Sequence, residues 1–424
     1  MDIRLARHWR ALLVLCVVSG VNAHAAQGVA SPLTLRDAIQ AALARNPDLA
    51  TFEFELRVAA AQRQQAALTP PPEVGFSLEN FAGTGEVKGF KAAEATLSLS
   101  QVIELGGKRN ARLAVNEADQ QDIVIARQAS QLDVVAEVTR RFIAVVEGQE
   151  KLRLAERSAE LASSTAAAAD ERVAAGKAPH VEVDRARVAG QRSRVALQGA
   201  RSTLDAARRS LAAMWGSDDG SLDGRAVGEV QGRLADLPVP GDYTALVTRL
   251  AGNPDFLRFA SEERLREAQL RLAATQRRAD LTVGGGVRRL PGHDLALVAS
   301  VSIPLFAGGR AQGAMAEATA RRDAVGARRD AALVRARAGL YALHRQLQDA
   351  VAVARQLEST TIPIMEEALR ETRYAFERGR YSYLELIDAQ REYLAMQSER
   401  IDASTLAQLL ATEIERLTNA PLNP

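Results

Sequence analysis

Carboxylates at helical spacing are the first residues of this chain that could do chemistry. Glu385 and Asp388 lie three residues apart in "YSYLELIDAQ", so on a helix they share a face. Glu182, in "GKAPHVEVDRA", holds the matching place in an earlier and similar stretch. Such a face either attracts cations or is an ordinary solvated surface, and spacing alone leaves both open. A second feature occurs twice: Gly106-Gly107 runs into Lys108 and Arg109, and Gly308-Gly309 runs into Arg310. A phosphate cradle would need a Gly-Lys-Ser/Thr core and an upstream glycine at the right spacing, and neither is present. His180, His293 and His344 fall in a turn, a strand loop and a long helix, so they do not form one metal site within a subunit. No nucleophile comes with its base, no acid and base share a cleft, and no cofactor fingerprint appears. Neither an enzyme nor a bound cofactor is expected.

Composition narrows the class further. "MDIRLARHWR" is basic, "ALLVLCVV" is a short apolar core, and Ala23-His24-Ala25 is a small-residue cleavage site, so residues 1–25 read as an export signal. The only cysteine, Cys16, lies in that core behind Leu15, which disfavours lipidation. Without residues 1–25 the chain keeps 51 basic and 51 acidic residues, from 54 and 52 in the whole. That balance gives no support to nucleic-acid binding. No later segment reaches the roughly 18 apolar residues of a membrane-spanning helix. Any membrane part is therefore built of β-strands.

The chain repeats itself. "NPDLATFEFELRVAAAQ" from Asn46 is matched by "NPDFLRFASEERLREAQ" from Asn253, "SLSQVIELGGK" from Ser98 by "SVSIPLFAGGR" from Ser300, and "GKAPHVEVDRA" from Gly176 by "GRYSYLELIDA" from Gly379. Three anchors in the same order make a tandem duplication. The reading is a first repeat over 26–214, a linker rich in Gly, Asp and Pro over 215–241, a second repeat over 242–417 and a tail over 418–424. Each repeat reads as helix, two short strands, very long helix, tight turn and return helix, so the fold class is mainly α with a small β part.

The first helix is expected from the N-cap Thr34 to about Leu68, and its repeat from about Asp242 to Arg277. Val74, Phe76 and Leu78 alternate with polar or small residues, as do Ala95, Leu97 and Leu99, which predicts two strands with one apolar face. A second pair is expected near 280–289 and 295–303. From Lys108 to about Ala175 there is no proline, so roughly 68 residues at about 1.5 Å each predict a rod on the order of 100 Å. Its repeat contains Pro363, which should kink or break the helix locally. The return helices carry apolar residues at sevens, Val181, Val188 and Val195, then Leu197, Leu204 and Leu211, with Ile387, Leu394 and Ile401, then Leu410 and Leu417 in the repeat. That spacing predicts a coiled-coil seam.

Four strands left as an open sheet would expose unpaired backbone groups to hydrocarbon, so several copies must close the sheet between them. Two copies would give eight strands and three would give twelve, both within the range of known barrels.

These residues resemble the TolC-like outer-membrane efflux proteins, over nearly all of the chain after its export signal. The resemblance rests on the duplicated order, on Gly-Gly-basic after the second strand of each half, and on "YAFERGRYSYLELIDAQREYL". "NPDL" with "LSQVIELGGKR" looks further like the cobalt/zinc/cadmium resistance branch. The resemblance implies a homotrimer, a twelve-stranded barrel in outer-membrane lipid and a helical barrel beneath it in the periplasm. It implies two partners, a periplasmic adaptor protein and a proton-driven inner-membrane pump of the resistance-nodulation-division type. The function implied is the exit duct of an efflux system for divalent heavy-metal cations. Drugs or other small molecules are the alternative cargo, and a periplasmic adaptor or coiled-coil scaffold is the alternative of another class.

Site residues follow from the same resemblance. The tips Gly176, Lys177, Gly379, Arg380 and Tyr381 would meet the adaptor, although glycines there also simply cap helices. Tyr381 stands where some relatives carry a basic residue that helps to lock the gate. Glu385 and Asp388 match the acidic constriction near the periplasmic mouth, Glu182 an acidic partner in the closed gate, and Phe376 an aromatic gating position that could equally be packing. Gly106, Gly107, Gly308 and Gly309 would be the strand-to-helix turns, where positive φ or close backbone approach favours glycine.

Overall fold

A computed structural model of the protein describes residues 32–305 and 308–420. The export signal read at residues 1–25 and the last four residues of the tail, 421–424, lie outside the described residues.

Helix α1 (Leu35–Arg45) begins at Thr34, whose side chain accepts from the Asp37 backbone while Asp37 returns the bond in a capping box. The expected single helix to Leu68 is broken: Asn46 caps a second helix, α2 (Pro47–Ala66), with Pro47 in its first turn. Proline lacks the N–H that a continuous helix would require, whereas a first turn leaves that group unused. Strands β1 (Glu73–Glu79) and β2 (Glu94–Ile103) follow, then α3 (Lys108–Ala174), a single helix of 67 residues. The return helix is α4 (His180–Ala212). The second half repeats the order with α5 (Tyr243–Arg249), α6 (Pro254–Thr275), β3 (Leu281–Arg289) and β4 (Leu295–Ser302). It ends with α7 (Gly308–Gln356), α8 (Ile362–Glu377) and α9 (Tyr383–Thr418).

Between α7 and α8 the chain widens into one π-helical turn, Leu357–Thr361, immediately before Pro363. The proline cannot donate into the α ladder, and the turn absorbs the missing bond. Hydroxyls complete it: Ser359 Oγ donates to the Arg355 carbonyl and Thr361 Oγ1 to that of Gln356.

The two "NPD" sequences act alike. Asn46 and Asn253 are buried N-caps of α2 and α6, and each also donates through Nδ2 to the end of its own return helix, Asn46 to the Met214 carbonyl and Asn253 to those of Arg416 and Leu417. The far end of each hairpin is thereby tied back to the start of its repeat. The segment 215–241 is packed rather than loose. Trp215 donates to the Ser221 carbonyl, and Val227, Val230 and Leu234 join a core with Phe142, Val145 and Val146 of α3. Gln149 of α3 reads the Val230 backbone with both ends of its amide.

Antiparallel packing of α3 on α9 joins the halves. Its polar rungs are Asp133–Arg416, Arg140–Glu413, Lys151–Asp402 and Thr165–Gln390, numbers rising on α3 as they fall on α9. The stretch spans roughly 50 Å at about 1.5 Å per residue. The expected seam is split. Leu204, Leu211, Ile387, Ile401 and Leu410 are buried, but Val181, Val188 and Val195 are 49%, 53% and 74% exposed. That row stays exposed because α4 turns its other face, with Val183 and Ala186, toward the hairpin core.

The four strands form one antiparallel sheet in the order β1-β2-β3-β4, leaving β1 and β4 as open edges.

Candidate functional site

Three regions carry the residues singled out above, and they sit at the tips of the hairpins, at the sheet-to-helix junction and on the sheet. At the tips, α3 and α8 end in the same way. Gly176 has φ +68°, its N–H donates to Val173 and that of Lys177 reaches back to Arg172; Gly379 has φ +74°, donates to Phe376, and Arg380 reaches back to Ala375. This is the left-handed glycine cap in which two terminal carbonyls find donors. Lys177, Arg380 and Tyr381 are exposed around it.

Both tips lie side by side, joined by a residue that sequence reasoning missed. Arg172, in the last turn of α3, donates to the Tyr381 carbonyl at 3.4 Å and stacks on the Phe376 ring at 4.3 Å. It continues the α3–α9 register by one more rung. Phe376 itself is fully buried between the hairpins, where it packs in one core with Ala169, Val183 and Tyr383.

Glu385 and Asp388 do share the exposed face of α9, opposite the buried Tyr383, Leu386 and Gln390. Glu385 is already engaged locally. The Ser382 N–H donates to its carboxylate at 2.6 Å in a capping box, and that backbone bond holds its pKa below the usual carboxylate value. Asp388 is more open, with Arg391 at 4.0 Å. Glu182 stands apart on α4, near Tyr383, whose phenol pKa is raised first by burial and in small part by the Glu182 charge. One Glu182 oxygen is buried without a hydrogen-bond partner. Between α3, α4 and α9 runs a groove of about 890 Å³ lined by Asp184, Arg185, Tyr383, Asp388 and Arg391 among others.

At the junction, Gly106 and Gly107 both have positive φ, +80° and +75°, so the first pair makes the predicted swing from strand to helix. The second pair does not: Gly308 and Gly309 form the opening turn of α7, where an α conformation serves and a Cβ would meet nothing. The basic residues after the first pair are clamps. Lys108 Nζ lies 2.7 Å from Asp280 at the start of β3, Arg109 Nε donates to the Ala67 carbonyl, and Arg112 pairs with Glu104 while reaching the Leu68 carbonyl. The side chain of Arg310 lies outside the described residues.

On the sheet, register sorts the side chains. Val74, Phe76, Leu97, Leu99, Val287, Leu297 and Val301 fall on one face, and each is at least 44% exposed. The other face carries Gly75, Ser98, Ser100, Gly284, Gly286 and Ser300 in its middle rows. A Cβ on Gly286 would come within 2.4 Å of the Leu97 carbonyl oxygen, so the backbone of β2 can approach β3 this closely only because the residue is glycine. An apolar, exposed face backed by a small, polar one is the pattern of a membrane barrel wall.

The histidines stay separate. His344 is buried and donates to the Gly241 carbonyl, while His293 pairs with Arg289 in a loop. Among the described residues no group of three His, Cys, Asp or Glu could hold a metal ion, and no helix is long and apolar enough to cross a membrane.

Comparison with known proteins agrees with this architecture. Residues 38–217 match the family described as Outer membrane efflux protein. The chain is 30% identical over 390 residues to the cobalt-zinc-cadmium resistance protein CzcC of Cupriavidus metallidurans, covering 92% of this chain and 90% of that one. Its fold is similar to a membrane protein from Pseudomonas aeruginosa at TM-score 0.69 and 21% identity, over 91% of this chain and 90% of that chain. It is equally similar to the outer membrane protein VceC of Vibrio cholerae, at TM-score 0.69 and 18% identity, over 92% and 97%. With its unclosed barrel wall, long paired hairpins and this likeness over almost its whole length, the chain belongs to the outer membrane efflux protein family.

Proposed function

We propose that the protein is the trimeric exit duct of a tripartite efflux system and that its cargo is divalent heavy-metal cations. The observation that carries the duct is the four-stranded sheet with both edges open and its apolar face exposed. Such a sheet is stable in a membrane only when copies close it around a common axis, and the paired hairpins then extend the same passage into the periplasm. The relative named for cobalt, zinc and cadmium resistance supports the cargo. A periplasmic adaptor would dock at the tips formed by Gly176, Lys177, Gly379, Arg380 and Tyr381, and a proton-driven inner-membrane pump would choose the substrate and supply the energy.

At the tips, Asp388 and Glu385 would form a threefold ring of carboxylates that favours cations, as charged rings do in other pores. Glu385 enters the ring while still capping α9, which makes the replacement Glu385→Gln a mild one, since an amide can keep the Ser382 bond. The test is a bilayer recording of the Glu385→Gln, Asp388→Asn double variant. A several-fold fall in the cation-to-anion permeability ratio is expected with the trimer intact, and an unchanged ratio removes the ring. Zinc, cobalt and cadmium tolerance of a strain lacking the protein, compared with tolerance to dyes and detergents, separates metal cargo from organic cargo.

A further inference from the structure

The far end of the sheet holds a charged group that neither the tips nor the junction accounts for. Arg288 of β3 reaches Glu94 at 3.1 Å, Glu79 at 3.4 Å and the Thr96 hydroxyl at 3.0 Å. Register puts all four on the small, polar face, because Glu79 pairs with Glu94 and Thr96 with Arg288. They lie at the end of the strands remote from the helices: β1 reaches Glu79 last, and β3 reaches Arg288 only in its last two residues. The remaining positions of that face are Gly, Ser, Thr, Ala and Val, apart from Glu73 at the opposite end. All three charged side chains keep contact with solvent, Arg288 at 32%, Glu79 at 52% and Glu94 at 19% of the side chain. One guanidinium thus faces two carboxylates on a surface whose only other charge among the described strand residues is Glu73, at the opposite end.

We propose that Arg288 sets the ion preference of the outer mouth: it holds Glu79 and Glu94 on the passage-facing wall and cancels one of their two charges, leaving a collar of one net negative charge per chain. The inference rests on the duct reading, which makes the small, polar face the inner wall. Repeated around a closed barrel, the collar favours cations leaving the passage, and Arg288 keeps it from holding them. Were the two carboxylates left unopposed, departing divalent ions would be retained where they should be released.

The test uses the full-length protein in planar bilayers under a potassium chloride gradient, with manganese(II) chloride added on the extracellular side as the divalent probe. Arg288→Gln should raise the cation-to-anion permeability ratio roughly two- to threefold, the effect of about one added charge at a watery wall, and sharpen manganese block by a similar factor. Glu79→Gln with Glu94→Gln should move both readings the opposite way. Arg288→Lys, which keeps the charge but not the fork, should leave them near the starting values. A purely structural Arg288 would show itself as loss of the heat-sensitive oligomer in Gln and Lys variants alike, with unaltered selectivity in whatever channels remain. Unchanged permeability ratio and unchanged manganese block in both charge variants would overturn the proposal. Absence of any conductance from the unsubstituted protein would instead count against the duct.

Discussion

At the scale of single residues, glycine does two different things in the repeated motifs, and only one of them was visible in the letters. Gly106-Gly107 and Gly308-Gly309 look alike in sequence, yet the first pair occupies left-handed backbone and the second begins a helix. The letters report which conformations are permitted, and at the first junction the left-handed turn is flanked by the Lys108–Asp280 pair and the Arg109 bond to the Ala67 carbonyl. At the tips the left-handed φ of Gly379 separates two roles by experiment. Asparagine tolerates this backbone, so Gly379→Asn should preserve the cap and oligomer while placing a side chain on an otherwise open surface. Gly379→Leu should strain the turn by about 1–2 kcal/mol as well. If the tip docks an adaptor, crosslinking to it should drop roughly tenfold in both variants, about 1.4 kcal/mol. Normal crosslinking in the asparagine variant would reduce Gly379 to a helix cap. Glu385 and Asp388 were legible as a shared face, but the Ser382 bond that occupies Glu385 depends on a turn geometry that spacing does not contain.

At the scale of elements, periodicity located the helices and strands to within a few residues because long uninterrupted patterns bury long uninterrupted faces. It failed where one residue outweighed the pattern: Asn46-Pro47 split a helix whose apolar rhythm runs straight through, and the exposed Val181 row shows that a seven-residue repeat names a seam without naming its partner. Arg172 and the α3–α9 rungs could not be read at all, since they join positions more than 200 residues apart. These rungs predict a pH response. Burial opposes ionisation of Glu137, but hydrogen bonds from Arg141 and Arg140 outweigh it and hold the carboxyl below its ordinary value, and Arg140 also grips Glu413 of α9. A carboxylate depressed in the folded state contributes stability above its unfolded pKa, about 4.3, and loses it as pH falls through the lower folded value. Thermal unfolding of the purified protein should therefore hardly change between pH 7 and about 5 and should fall progressively below about pH 4. Glu137→Gln should flatten that acid limb, and an identical limb in the variant would assign it to other carboxylates.

At the scale of the whole molecule, the strand count calls for several chains in a closed barrel, and the two free edges of the sheet limit how they can meet. Its free edges are different strands, β1 on one side and β4 on the other, so each copy joins its neighbour head to tail. Where the rotation between copies closes, the result is a ring in which a free edge never meets its own kind. This gives the protein an unusual genetics. Because each ring needs a sound joint at every seam, a chain whose β4 edge cannot pair, through Ala299→Pro for example, whose N–H faces the free edge while those of Val298 and Ser300 face β3, will spoil the rings it enters even when healthy copies outnumber it. In cells expressing both forms from matched promoters, about one half of the chains would be faulty and roughly one eighth of three-membered rings would contain none, a binomial share of a C3 assembly. Metal tolerance should then behave as a dominant trait, collapsing far below the half-dose level. Tolerance at half dose would mean that faulty chains are sorted out before assembly.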